Sequence, residues 1–167
     1  MDETARTIEA EIPRLRRYAA ALTGDSARAD DLVEAALESG LYRRAVLAGP
    51  GSLRGRLLRD VYRCYVDGPW RAPIGAVRDN GVLRIRQPRT EASLALQAVL
   101  AAVYRLPTEQ RAALALVELE GMECAEVGHV LGIPASAARA AVSAARDTLR
   151  GAQEGAVAWS AWQRRRG

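Results

Sequence analysis

Apolar residues return at intervals of three and four along most of the chain, the spacing of helices that bury one face. Over residues 5–22 the stripe is Ile8, Ile12, Leu15, Ala19 and Leu22. Thr23-Gly24-Asp25 ends that helix, and Asp25 or Ser26 can cap a second one running to about Ser39. Its inner face is Ala29, Leu32, Val33, Ala36 and Leu37. Gly49-Pro50-Gly51 is a break. Ser52 then caps a third helix to Asp67, with Leu53, Leu57, Leu58, Val61, Tyr62 and Tyr65 inside, and Gly68-Pro69 stops it.

The pattern lapses over residues 69–90. Pro69, Pro73, Pro88, Gly75 and Gly81 interrupt it, as expected of a linker. GVLRIR (81–86) alternates like a strand but has no visible partner. Helices resume at about Glu91 and run to Tyr104. Leu106-Pro107 breaks the chain, Thr108 caps the next helix, and Glu109 lies in its first turn. Glu120-Gly121 ends that helix. A short helix over 124–131, a tight Gly132-Ile133-Pro134 turn and a longer helix over 135–150 follow. Gly151 leads to a tail with Trp159, Trp162 and Arg164 to Arg166. The expected fold is all-α: two small helical bundles, 1–68 and 91–152, a linker over 69–90 and a tail over 153–167. The second bundle closes on the layout of a helix-turn-helix, whose last helix can enter a major groove.

Charge sharpens this picture by its placement. All 24 basic residues are Arg, a bias that a GC-rich coding sequence produces as readily as selection does. Residues 1–68 balance 11 Arg against 11 acids. Residues 69–90 hold five Arg and one acid, and the tail three Arg and one acid. The helix-turn-helix bundle has five Arg against seven acids. Phosphate contacts supply much of DNA affinity, so a dedicated DNA domain is normally basic. Here the positive charge lies outside the expected reading domain.

Other chemistry is sparse. No glycine-rich phosphate loop, nucleophile elbow or histidine relay is present, so nothing points to an enzyme or a cofactor. Cys64 and Cys124 lack paired metal spacing and read as buried thiols. His129 is the single histidine and is expected at the surface, without a metal. No apolar run approaches the ~20 residues of a membrane span, and the charged opening MDETARTIEAE is unlike a signal peptide, so a cytoplasmic protein is expected.

Two motif sets carry a resemblance. The segment LRRYAAALTGDSARADDLVEAAL has paired acids, Asp30-Asp31, before Leu32-Val33. The second bundle has Leu106-Pro107 with Arg111, then Glu120-Gly121, Glu126-Val127, Leu131-Gly132 and an ending on Arg146 and Leu149. In order and spacing these resemble regions 2 and 4 of the extracytoplasmic-function (ECF) sigma factors of bacterial RNA polymerase, near the general-stress subgroup. The resemblance implies core polymerase, promoter DNA and an anti-sigma factor as partners, with no membrane contact. It implies that Asp30, Asp31, Leu32, Glu34 and Leu37 meet polymerase, and that Ser136, Arg139, Ser143 and Arg146 meet DNA. The acids also have a plain reading, since early helical turns favour negative charge.

The departures from the family pattern point the other way. The last helix opens Ser136-Ala137-Ala138-Arg139-Ala140-Ala141, with Ala144 at a later position usually held by Arg. Base readout needs side chains that reach hydrogen-bonding edges, and Ala offers only apolar contact. Glu34-Ala35 stands where the family often has Gln-Glu. The stretch from Leu41 to Gly51 has Tyr42 as its single ring, whereas unstacked bases need aromatic platforms. These losses resemble sigma-like domains that bind an anti-sigma factor and no longer bind promoters.

Overall fold

The structure is a computed structural model that describes residues 3–42, 51–70 and 91–164. Every regular element among the described residues is a helix: α1 (Glu3–Thr23), α2 (Ser26–Tyr42), α3 (Leu53–Asp67), α4 (Glu91–Arg105), α5 (Thr108–Glu118), α6 (Cys124–Leu131) and α7 (Ala135–Arg164). The strand-like piece at 81–86, most of the expected linker and the Gly49-Pro50 break lie outside the described residues.

Local chemistry sets the helix ends. Gly24, at φ +73°, turns the chain between α1 and α2. Asp25 Oδ1 accepts from the Arg28 amide at 2.9 Å and so caps α2. Ser52 Oγ accepts from the Gly55 amide at 3.1 Å and caps α3. Two ends differ from the sequence reading. Pro107, not Thr108, is the cap residue of α5, because its fixed φ near −50° suits the entry and it has no amide to satisfy. α7 does not end at 150 but continues through Gly151 to Arg164, so the described part of the tail is an extension of the same helix. The helix packs with α4, and that packing offsets the weak helix propensity of glycine.

The first bundle packs α1, α2 and α3 around Leu15, Tyr18, Leu22, Leu32, Leu58, Val61 and Tyr65, all essentially inaccessible. The second packs α5, α6 and the near half of α7 around Leu116, Val127, Val130, Val142 and Ala145. The two cores are not separate. α1 lies against α5 and α3 against α6, and the buried residues form one continuous apolar cluster. Tyr104 of α4 reaches the α1–α2 turn, where its Cε1 would stand 3.0 Å from any Cβ placed on Gly24. A side chain there would clash as well as strain the positive φ.

Candidate functional site

The α2 surface is the first candidate. The inward positions Ala29, Leu32, Val33 and Ala36 are buried, which turns Asp30, Asp31 and Glu34 to solvent. Asp30 Oδ1 pairs with Arg16 Nε of α1 at 2.9 Å, with both side chains more than half exposed. Leu37 is half-buried against the core. Leu32 requires a correction. Its side chain is 0% exposed and fills the first bundle, so it can support the acidic face but cannot touch a partner. Helical geometry is the reason: two residues beyond Asp30 is about 200° around the axis.

The second candidate is the helix-turn-helix. Glu126 Oε2 accepts from the Glu123 amide at 3.0 Å and fixes the start of α6. Gly132, at φ +73°, ends it in a left-handed turn. Gly128 lets α7 approach closely, because a Cβ there would meet the Ile133 carbonyl oxygen at 2.7 Å. α7 then buries Ala138, Ala141, Val142 and Ala145 and exposes Ser136, Arg139, Ser143 and Arg146. Arg139 and Arg146 are seven residues apart and lie on one face. The alanines therefore divide into two sets, one forming the inner contact and the other, Ala140 and Ala144, thinning the exposed stripe.

The two cations on that stripe differ. Arg146 Nη2 and Nε donate to Glu118 Oε1 at 2.6 and 3.0 Å. Further along, Arg150 Nη1 pairs with Asp147 Oδ1 at 3.0 Å. Arg139 makes no hydrogen bond or ion pair with any described residue. Its guanidinium is exposed near the start of α7.

A third cluster was not visible in the sequence. Glu120 sits between the bundles with its side chain 0% exposed. Oε1 accepts from Arg17 Nε at 2.9 Å and Nη2 at 2.7 Å, and Oε2 accepts from Arg54 Nη2 at 2.8 Å. Arg17 also donates to the Leu119 carbonyl at 3.1 Å, and Arg54 to that of Glu120. Nearby, Arg111 Nη2 donates to the Tyr65 hydroxyl at 2.8 Å, and Nη1 to the Tyr104 carbonyl at 3.1 Å. Burial raises the Tyr104 phenol above its usual range, while Arg111 pulls the other way. In the sequence, Glu120 marked only a helix end; its partners are 103 and 66 residues away.

The remaining singled-out residues are quickly placed. Cys64 and Cys124 are half-buried, not buried, because each lies at the edge of its bundle's core. His129 is exposed and lines a cleft between α3 and α6 with Arg56, Arg59 and Met122. Tyr42 closes α2, but its side chain lies outside the described residues, as do those of Trp159 and Trp162. No described helix is long and apolar enough to cross a membrane.

Comparison with known proteins agrees with the two-part layout. Residues 8–60 match the model of the sigma2 domain of PhyR, and residues 96–149 match that of sigma-70 region 4. The fold is similar to that of the sigma factor RpoE from Bartonella quintana, solved in complex with the anti-sigma factor NepR. The TM-score is 0.68 at 18% identity, with 92% of this chain and 98% of that one covered. The ECF RNA polymerase sigma factor EcfG of Rhodopseudomonas palustris is 30% identical over 152 residues, spanning 89% of this chain and 83% of the relative. Two sigma modules in the expected order and a full-length relative at that identity agree: the chain belongs to the ECF family of RNA polymerase sigma factors.

Proposed function

We propose that this chain works in the cytoplasm as a sigma factor, binding core RNA polymerase and directing it to promoters under the control of an anti-sigma factor. Residues 1–68 act as the region 2 unit and residues 91–152 as the region 4 unit. Asp30, Asp31 and Glu34 form the polymerase-facing surface, with Leu37 at its edge and Leu32 beneath it. Ser136, Arg139, Ser143 and Arg146 form the DNA-facing stripe. The observation that carries this reading is the acidic face of α2, held outward by a fully buried Leu32, on the same chain as a helix-turn-helix with an exposed Arg139.

A second reading keeps the anti-sigma partner and discards the promoter. It is supported by the Glu118–Arg146 pair, which neutralises one of the two stripe cations, and by the exposed Ala140 and Ala144. Run-off transcription separates the two. Purified chain added to core polymerase and a stress-promoter template set should yield a discrete transcript. If no template is transcribed while an anti-sigma protein binds tightly, the chain is a sigma mimic.

A further inference from the structure

We propose that Glu120 is an electrostatic latch that, beside the apolar contact between the bundles, holds the region 4 unit against the region 2 unit. The claim concerns the chain alone and stands whichever functional reading holds.

Arg17 on α1 and Arg54 on α3 converge on one point from two different helices of the first unit. Glu120, in the turn after α5, supplies the negative charge that pairs with both. Both its oxygens are used, and the side chain is fully buried, whereas Arg17 and Arg54 keep 50% and 28% of their side-chain surface. The arginines can thus be hydrated if the units part, but in the closed chain the carboxylate relies on them alone. Removing its charge takes away the attraction across the joint and leaves the two guanidinium groups of the first unit unpaired at its edge.

The turn is shaped to deliver this group. Gly121, at φ +65°, and the Met122 amide, bonded to the Leu116 carbonyl at 3.1 Å, fold the chain back so that Glu120 points at the first unit. Leu119 beside it points outward and is 43% exposed. The backbone carbonyls of Leu119 and Glu120 each accept one further guanidinium hydrogen bond. Contacts of this kind are made or lost together, because a half-open joint would leave a buried carboxylate with one partner. The neighbouring Arg111–Tyr65 bond and the Tyr104–Gly24 contact lie on the same joint and release with it.

The test is solution scattering on the full chain with helix content followed by circular dichroism. The closed wild type should have a radius of gyration near 15 Å, the scaling for a compact chain of this length. Glu120→Gln should keep its helix content and expand by about 3 Å or more, as two units of this size do when their centres part by roughly 10 Å. The triple change Arg17→Gln, Arg54→Gln and Glu120→Gln leaves no unpaired charge at the joint, so the apolar contacts between the units should close the chain again. A Glu120→Gln chain with native helix content and an unchanged radius overturns the latch. If that variant loses its helix content, Arg17→Gln with Arg54→Gln decides the matter. Both are partly exposed positions whose change leaves each helix intact. Expansion of this double variant supports the latch, and an unchanged radius overturns it.

Discussion

Glu118 holds Arg146: the carboxylate accepts two hydrogen bonds from the guanidinium, the shorter at 2.6 Å, across the gap between α5 and α7. Both side chains are 51% exposed, so the pair is a surface one. Such pairs contribute about 0–1 kcal/mol. DNA phosphate can therefore displace Glu118. Glu118→Gln should tighten DNA binding by no more than about fivefold, the range set by that energy. Arg146→Ala should weaken all sequences alike and lower the slope of log affinity against log salt by about 1. Anisotropy titrations at several salt concentrations read both effects. A slope unmoved by Arg146→Ala removes this residue from the interface.

Arg139 should behave differently. It is nearer the start of α7, where recognition helices reach base edges, and has no partner of its own among the described residues. Arg139→Ala should cost roughly 1–3 kcal/mol on the best promoter if its contact is bidentate, and little on unrelated DNA. The measured quantity is the ratio of the two affinities. Equal losses on both would make Arg139 a phosphate contact.

On the first unit, reversing Asp30, Asp31 and Glu34 to Arg together should weaken core polymerase binding, read by competition against another sigma factor. Thermal unfolding should shift by only a few degrees, because exposed charges contribute weakly and the single ion pair lost, Asp30–Arg16, is itself exposed. Polymerase affinity that survives the triple reversal would move the interface elsewhere.

Tyr18 gives a pH dependence. Its ring is 0% exposed and its hydroxyl is buried without a hydrogen-bond partner among the described residues. Burial raises the phenol well above its ordinary value, and Tyr62 and Tyr65 add to the shift. The folded chain therefore keeps this proton at pH values where the unfolded chain has lost it. The associated stability is complete below about pH 10, the unfolded phenol value, and declines as pH rises from there towards the folded one. Tyr18→Phe should leave stability at pH 7 unchanged or slightly higher, since an unpartnered hydroxyl is lost. It should also make the alkaline decline shallower. Urea titrations at pH 7 and 10.5 test this, and a loss above about 1.5 kcal/mol at pH 7 would mean that the hydroxyl is bonded.

Within this frame, most of the fold was legible because its signals are local. Leu15, Ala19 and Leu22 recur at helical spacing, Ser52 is a cap three residues before a free amide, and Gly132-Ile133-Pro134 is a turn wherever it occurs. Those features gave α1, α3, and the boundary between α6 and α7. The misread ends were decided by tertiary contact. Gly151 looked like a stop, yet packing of α7 on α4 carries the helix past it. Leu32 belongs to the inner stripe in the sequence and to the core in the structure, so its place beside the partner-facing acids comes from the family resemblance alone. The joint at Glu120 was invisible for a deeper reason. A carboxylate and two guanidinium groups spread over three helices leave no periodicity and no spacing to read, and only folding brings their charges together.

The unbroken run of α7 has a mechanical meaning. Its 30 residues span about 45 Å at 1.5 Å per residue. The end that carries Arg139 and the end beyond Gly151 are thus opposite tips of one helix, with the buried Val142 and Ala145 between them. Gly151 and Gly155 lie in the far part of that helix, with open space where a side chain would stand. Whatever grips or releases the far tip changes the angle at which the near tip meets a groove. A small tilt at one end becomes a displacement of several ångströms at the other.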